Sequence, residues 1–316
     1  MGQQKAGLFF GEIMSKFEFF SLDKDFNLAK NVANHFKKNL YAPNVVKFAD
    51  SEINLQFKED ININQKEVVV IHSTVYPVNE NLLQLIFLID CLKNMGAAKV
   101  HAIIPYFGYS RQCEYGDKDL PGHAGIVAKM LEIAGVDSVA VVEAHDETLA
   151  SFFSVPFKNI KIDQILAQHI KNNCIDLHDC CLVAPDEGAA KRVTKIGKML
   201  NMTTLFFTKK RCGINKVEII ESSGKIACKS AIIIDDIIDT GGTALKVADI
   251  LASQEAAHIF GYFIHPVLSG NAIGQLMRGS LQKAYVSYSI ALQDNEKVDK
   301  IEVFDISQAL IDYLPK

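Results

Sequence analysis

The sequence predicts an α/β protein made of two similar domains, each a mostly parallel sheet flanked by helices. Short apolar runs rich in β-branched residues alternate along the chain with segments whose apolar residues recur at helical spacing. The same rhythm occurs twice, although no residue-level repeat is visible. Strands joined through helices form right-handed crossovers, and each half is therefore expected to form a parallel sheet.

In the first half, apolar runs predict strands at 16–20, 67–73, 99–106 and 138–144, and alternation predicts a hairpin from 45–48 and 53–57. Helical spacing predicts helices at 26–40, 78–95 and 122–133, and a long polar loop is expected at 108–121. The apolar residues of the second helix predict its buried face: Leu82, Leu83, Leu85, Ile86, Ile89 and Leu92.

The second half repeats the alternation. Strands are predicted at 181–185, 203–208, 217–221, 230–238, 258–266, 284–289 and 301–304, helices at 163–172, 187–200, 243–253 and 271–277, and a short last helix closes the chain. The domain boundary is placed near 154–162. This gives a possible disordered extension at 1–14, an N-terminal domain at 15–158 and a C-terminal domain at 159–316.

Composition excludes several classes of protein. The chain has 316 residues, 49% of them hydrophobic, which is enough for two substantial cores. A net charge of −4 provides no basic field for nucleic acid. No apolar run is long enough to span a membrane and no secretion signal is evident. Seven cysteines without a C-x-x-C pair favour reduced thiols over a disulfide framework, so we expect a cytoplasmic protein.

The most informative stretch is 230–243, SAIIIDDIIDTGGT. A buried strand is followed by two adjacent carboxylates, where the strand is expected to end, and then by a small-residue turn and a helix. Strand, turn and helix in this order place free backbone N–H groups at a helix N-terminus, where they bind phosphate. The stretch lacks the glycine spacing of P-loops and dinucleotide folds.

The acids Asp235 and Asp236 would repel a phosphate, but they can accept hydrogen bonds from sugar hydroxyls or bind Mg²⁺. The stretch therefore predicts a sugar phosphate site, with the phosphate in the turn and the diol on the acids. An ordinary strand, turn and helix with solvated acids is the alternative interpretation.

Other candidates follow predicted strands, where ligands bind in such sheets. Asp186 could bind a metal or a hydroxyl, or could simply cap the next helix. His145, between acids at a strand end, suggests a Mg²⁺ or triphosphate site, although a single histidine is more often structural. The run at 209–211, Lys-Lys-Arg, begins a predicted loop that could close over a polyphosphate, or it is solvated surface.

Two further groups of residues are candidates for ligand binding, but each is weak evidence by itself. Arg111 and Gln112 add a guanidinium and an amide after a predicted strand. Phe48, Asp50 and Glu52 could stack on and hydrogen-bond a nucleobase from the predicted hairpin, but an ordinary turn would look the same.

Together, these motifs resemble the ribose-phosphate pyrophosphokinases, a family with the phosphoribosyltransferase-like fold. The similarity runs from about residue 16 to residue 314. It rests on collinear stretches at 77–81 (PVNEN), 105–112 (PYFGYSRQ), 184–188 (APDEG), 190–193 (AKRV) and 234–243 (IDDIIDTGGT).

The resemblance implies transfer of the diphosphoryl group of ATP to the anomeric hydroxyl of ribose 5-phosphate, with Mg²⁺, in a homo-oligomer, a hexamer built from dimers. The implied roles are assigned by position. Ribose 5-phosphate binds Asp235, Asp236, Asp239, Thr240, Gly241, Gly242 and Thr243; the catalytic cations are Lys209 and Arg211; ATP binds Arg111 and Gln112, and also Phe48, Asp50 and Glu52 of a neighbouring subunit; the metal ligands are His145 and Asp186.

The sequence departs from the family pattern in three places. Glu143 and Ala144 precede His145, where the family has aspartate and leucine. The stretch 113–119 (CEYGDKD) carries three carboxylates, Glu114, Asp117 and Asp119, where the family has a basic run, and the family's C-terminal tail is absent. The substituted stretch before His145 keeps one alternative open, a non-catalytic regulatory relative of the synthase. A phosphoribosyltransferase that consumes the diphosphate is a further alternative, although the duplicated architecture speaks against it.

Overall fold

The computed structural model describes residues 17–58, 61–115, 118–173, 179–211, 218–222 and 228–315; at 114–115, 118–121, 209–211 and 218–222 it describes the backbone alone. The predicted extension at 1–14 lies outside these residues. The described chain forms two compact units. The first consists of two segments of the chain, one that ends at Lys161 and one that begins at Ile306. The second spans Ile162–Asp305.

The first unit contains a six-stranded, fully parallel sheet with strand order β10-β9-β6-β5-β1-β2. Its strands are β1 (Phe17–Phe20), β2 (Leu40–Tyr41), β5 (Glu67–Ile71), β6 (Lys99–Ile104), β9 (Ser138–Val142) and β10 (Phe157–Ile160). Its helices are α1 (Asn27–His35), α2 (Val78–Asn94), α3 (His123–Ile133), a 3-10 helix (Glu147–Phe152) and α8 (Ser307–Tyr313).

The first unit also contains two separate antiparallel pairs. The predicted hairpin is present as β3 (Asn44–Lys47) and β4 (Ile53–Gln56). The long polar loop predicted at 108–121 contains an antiparallel pair that the sequence did not predict, β7 (Glu114–Tyr115) with β8 (Lys118–Pro121). Strand β10 lies where the sequence predicted only a boundary.

The second unit contains a seven-stranded sheet with strand order β13-β12-β11-β14-β15-β16-β17, parallel except for the pair β12 and β13. Its strands are β11 (Cys180–Ala184), β12 (Thr203–Arg211), β13 (Glu218–Ser222), β14 (Ser230–Ile238), β15 (His258–Pro266), β16 (Lys283–Ser287) and β17 (Ile301–Phe304). Its helices are α4 (Asp163–Asn173), α5 (Glu187–Leu200), α6 (Gly242–Ser253), α7 (Ala272–Arg278) and a short 3-10 helix (Asp294–Glu296).

The two sheets share one strand order. Spatially adjacent strands follow chain order in both, as β1-β5-β6-β9-β10 and as β11-β14-β15-β16-β17. The first sheet has one extra strand, β2, beside β1, and the second has two, β12 and β13, beside β11. The predicted α/β class with two similar domains is therefore confirmed. By this correspondence, β14 is the counterpart of β5.

The last helix belongs to the first unit, although the sequence placed 159–316 in one domain. Helix α8 packs against α1 and buries Leu310 and Ile311. An apolar helix face must be covered by another element, and sequence order alone does not specify which one.

The cysteines differ from the prediction. Cys181 and Cys228 form a disulfide, whereas reduced thiols were expected. Cys181 lies on β11 and Cys228 lies two residues before β14, the neighbouring strand, so the sheet brings together two residues 47 positions apart. Of the other cysteines that the structure describes, Cys91 is half-buried, and Cys113 and Cys180 are buried. No helix in the described part of the chain is long and apolar enough to cross a membrane.

A buried histidine gives a prediction about acid stability. His72 follows β5 with 9% of its surface exposed, and neither ring nitrogen has a hydrogen-bond partner among the described residues. Burial lowers the pKa of His72 from 6.5 to about 4. Because the unfolded state binds the proton more tightly, this group's contribution to stability is intact above about pH 6.5 and is lost as the pH falls toward 4.

The His72→Gln variant should therefore lose less stability on acidification. Over this pH range, the difference from wild type should approach about 3 kcal/mol in the free energy of unfolding. Urea unfolding at several pH values measures it. His35→Gln, at an exposed histidine of the same unit, is the control. Parallel pH profiles for wild type and His72→Gln would show that burial of the imidazole has no such effect.

Candidate active site

Three carboxylates meet at the carboxyl ends of two neighbouring parallel strands of the second unit. Strand β14 pairs with β11 only as far as Val183 and Ile233, so Asp235 and Asp236 lie beyond that ladder. Asp186 follows β11 at the same edge. The acids do not end β14 as the sequence suggested, because its pairing with β15 continues to Ile238.

The electrostatics of this cluster favour a ligand. Burial raises the pKa of the Asp235 carboxyl well above its usual range, and the neighbouring carboxylates of Asp236 and Asp186 raise it further. The Asp236 backbone N–H donates to Asp235 Oδ1 at 2.9 Å. Hydroxyl donors or a cation would relieve the repulsion between the carboxylates.

Asp186 caps a helix, which is one of the two roles that the sequence predicted for it. Its Oδ1 accepts the backbone N–H of Ala189 at 3.3 Å, at the start of α5. The Coulombic effect of Asp186 on Asp235 shows that it also contributes to the charge of the cluster. Capping and participation in the site are thus compatible.

The turn after β14 has the geometry of an anion site. Gly241 lies in the left-handed region with φ +81°, and α6 begins at the next residue. A Cβ at Gly241 would lie 3.0 Å from Leu245 Cδ1, so both the conformation and the available space favour glycine. Gly241 occupies the N-cap position and has no side chain that could accept the N–H groups of the first turn, and an uncapped helix N-terminus of this kind can bind an anion.

A neighbouring loop that the sequence analysis missed supports this turn. The backbone N–H groups of Val267 and Leu268, after β15, both donate to the Ile238 carbonyl at 3.0 Å. The Ser269 hydroxyl donates to Asp239 Oδ1. The sequence of this loop offers only a modest signal, a Ser-Gly pair after an apolar strand. The loop lies beside the end of β14 because β15 pairs with β14 in the sheet.

The prediction that the basic run at 209–211 begins a loop is wrong, because these residues belong to β12. Lys209 and Arg211 are the seventh and ninth residues of β12, and this end of the strand pairs antiparallel with β13, Lys209 opposite Ile220 and Arg211 opposite Glu218. The chain returns at 218 as strand β13, and this pairing extends the ladder past Thr208. The side chains of 209–211 lie outside the described atoms.

In the first unit, the residues predicted to bind a nucleobase lie at the tip of the β3–β4 hairpin. Phe48, Asp50 and Glu52 are all exposed, Phe48 to 52%. The Phe48 N–H donates to the Glu52 carbonyl at 2.9 Å, and the Glu52 N–H donates to Asp50 Oδ1 at 3.1 Å. A tight turn thus presents an exposed ring and two carboxylates to solvent.

The other predicted ATP residues follow β6. Arg111 and Gln112 are exposed in the loop before β7, and Gln112 Oε1 lies 2.7 Å from His123 Nδ1 at the start of α3. His145 is exposed after β9, whereas Glu143, two residues before it, is buried and pairs with Lys161. The metal candidates His145 and Asp186 belong to different units.

The described residues contain no group of three or more histidine, cysteine, aspartate or glutamate side chains that could hold a metal ion by itself. Mg²⁺ commonly binds through one or two carboxylates together with substrate phosphates and water. The carboxylate cluster at Asp235 fits such an ion in its chemistry, provided that the substrates supply the remaining oxygens.

Comparison with known proteins identifies the family. The family profile described as the N-terminal domain of ribose phosphate pyrophosphokinase matches residues 17–135, and the profile described as a phosphoribosyl synthetase-associated domain matches 184–315. The ribose-phosphate pyrophosphokinase of Bacillus caldolyticus is 36% identical over 282 residues, which cover 89% of this chain and 88% of that protein. The chain therefore belongs to the ribose-phosphate pyrophosphokinase family.

Further relatives agree with this assignment. Ribose-phosphate pyrophosphokinase 1 of Streptococcus pneumoniae is 33% identical, with 94% of this chain and 92% of that protein covered. The crystal structure of phosphoribosylpyrophosphate synthetase from Mycobacterium smegmatis superimposes with a TM-score of 0.86 at 26% identity, covering 94% of this chain and 97% of that one. The predicted family and enzyme class are confirmed. Kinase-type chemistry of this kind generally uses a metal cofactor.

Proposed function

We propose that this chain transfers the diphosphoryl group of ATP to the anomeric hydroxyl of ribose 5-phosphate, giving 5-phosphoribosyl 1-diphosphate and AMP. The observation that carries the proposal is the arrangement after β14. A carboxylate pair precedes a glycine turn whose helix N-terminus has no capping side chain. The hydroxyls of a sugar phosphate can donate to the carboxylate pair, and its phosphate can bind at the helix N-terminus.

Ribose 5-phosphate is assigned to the second unit. Its 5-phosphate accepts hydrogen bonds from the backbone of Asp239–Thr243 and from the hydroxyls of Thr240 and Thr243. Its diol donates to Asp235 and Asp236. The raised pKa of Asp235 supports this assignment, because hydroxyl donors stabilise a carboxylate that lies among other carboxylates.

Phosphoryl-type transfer depends mainly on positioning and on charge stabilisation. The anomeric oxygen attacks the β-phosphorus of ATP, the bond from that phosphorus to the α–β bridging oxygen breaks, AMP leaves, and the hydroxyl proton passes to solvent. Lys209 and Arg211 would neutralise charge on the transferring phosphates. Arg111 and Gln112 would hold the ATP phosphates, and Phe48, Asp50 and Glu52 of a neighbouring subunit would hold the adenine.

We assign the metal role to Mg²⁺, with His145 and Asp186 as its protein ligands. When bound with ATP, the ion supplies charge neutralisation of the polyphosphate. The oxygen chemistry of Asp186 suits this ion, and the donor set is completed by phosphates and water. The expected compartment is the cytoplasm, where ATP is abundant.

A single assay tests the function. The protein, incubated with ATP, Mg²⁺ and ribose 5-phosphate, should yield AMP and phosphoribosyl diphosphate in equal amounts. A double variant, Asp235→Asn with Asp236→Asn, should lose ribose 5-phosphate affinity and is the control for a contaminating enzyme. Binding of both substrates without product would support the non-catalytic relative. Consumption of phosphoribosyl diphosphate in the presence of a nucleobase would support the phosphoribosyltransferase.

We propose a homo-oligomer, by resemblance a hexamer built from dimers. An apolar surface on α2 supports self-association: Leu83 and Phe87, one helical turn apart, are exposed to 39% and 42%, and Tyr76 just before the helix to 82%. This corrects the prediction that Leu83 is buried; Leu88 is buried instead.

The Phe87→Glu variant should reduce the particle mass in solution, because a buried charge in an apolar contact is costly. Light scattering after size-exclusion chromatography measures the mass. Lys171→Glu, at an exposed position on α4, should leave it unchanged. A Phe87→Glu protein with the wild-type mass would mean that this surface is not a subunit contact.

A further inference from the structure

The segment that carries His145 is held by an ion pair whose carboxylate is buried and whose cation is partly exposed. Glu143 follows β9 with only 1% of its surface exposed, and its Oε2 lies 3.2 Å from Lys161 Nζ. Lys161 directly follows β10, the neighbouring strand, and its Nζ also lies 3.9 Å from Glu147 Oε1. One cation therefore contacts carboxylates on both sides of His145.

The backbone of the segment is fixed by the same strand. The Glu143 N–H donates to the Ile160 carbonyl at 3.0 Å, and the Ala144 N–H donates to Asn159 Oδ1 at 2.9 Å. Glu143 itself has φ +44°, a left-handed conformation that is unfavourable for a residue with a long side chain. Such a conformation persists only when surrounding contacts over-determine it.

From these contacts we propose that Lys161 is a positioning residue for His145, and that Glu143 is its buried anchor and not a metal ligand. The inference rests on the proposed role of His145 in binding the metal of metal–ATP. The Glu143 carboxylate is buried and Lys161 is a cation that pairs with it, so loss of that cation would turn the carboxylate toward solvent. This movement releases the left-handed turn and displaces the next two residues.

The proposal explains the unusual sequence at 143–145. A glutamate is long enough to reach inward to Lys161 while the backbone turns outward to present His145 to solvent. The substitution therefore comes with a partner, Lys161, directly after a strand that the sequence did not predict. A relative that had lost metal binding would need no such pair to hold the segment.

The test uses the full-length protein with Mn²⁺ and ATP as the probe, and free Mn²⁺ is measured by electron paramagnetic resonance. Lys161→Met should weaken Mn²⁺–ATP binding ~10-fold, as outer-shell substitutions typically do. Affinity for ribose 5-phosphate, whose residues lie in the second unit, should not change. Lys161→Arg should stay within ~3-fold of wild type, because it keeps the charge. Lys158→Met, on β10 itself, is the matched control.

The double variant Glu143→Gln with Lys161→Met removes both charges and should restore most of the affinity, because no unpaired buried charge remains. Hydrogen exchange of peptides covering 143–149 should be faster in Lys161→Met than in Lys158→Met. Equal Mn²⁺–ATP affinity in these two variants would overturn the inference. So would a Glu143→Gln variant that loses the affinity and is not rescued in the double variant, since Glu143 would then ligate the metal. If the wild-type chain itself does not bind Mn²⁺–ATP, the proposed role of His145 fails together with this inference.

Discussion

Replacement of Lys209 or Arg211 by alanine should lower turnover by about 10²–10³-fold, the cost of losing one charge or donor aimed at a transition state. Both residues lie on β12, two positions apart, and residues at that spacing share one face of a strand. If this face meets the transferring phosphates, the cations act on charge that develops during the reaction. Steady-state kinetics with varied ATP and ribose 5-phosphate separate the effects on kcat and KM.

The strand assignment supplies a matched control. Lys210 lies between the two cations and belongs to the opposite face of β12. Lys210→Ala should therefore keep kcat within ~3-fold of wild type. Equal losses in all three variants would indicate a general electrostatic effect, and loss of ribose 5-phosphate affinity with intact turnover would remove this strand from the catalytic machinery.

The Asp239→Asn variant should raise the KM for ribose 5-phosphate about 10- to 100-fold, the range expected when a charge-assisted hydrogen bond is lost. Asp239 opens the turn that precedes α6 and accepts the Ser269 hydroxyl. The neutral amide weakens this anchor, and the N–H groups at the helix N-terminus then lose their alignment. The KM for ATP should change little, because the ATP residues are assigned elsewhere.

Ser269→Ala tests the same contact from the other side. It should raise the KM for ribose 5-phosphate in the same direction but less, since Asp239 keeps its charge. Asp249→Asn, on α6, is the control, because Asp249 accepts the Ser280 hydroxyl away from the turn. An unchanged KM in Asp239→Asn would contradict the assignment of this turn to the 5-phosphate.

The sequence by itself predicted those features whose causes are local. One continuous stretch of chain forms the strand at 230–238, the turn at 239–241 and the helix that follows. Gly241 has a positive φ, a backbone conformation that glycine adopts more readily than other residues. The alternating apolar runs also predicted both parallel sheets. The collinear motifs were sufficient to predict the family, which the comparisons confirm.

The tertiary structure decided the features that depend on partners distant in sequence. Arg211 belongs to a strand because Glu218 pairs with it, and the last helix belongs to the first unit because α1 covers its apolar face. Ser269 reaches Asp239, and Lys161 reaches Glu143, only because neighbouring strands place them there. Such contacts form where sheet order brings strand ends together, and a local pattern of residues does not specify that order.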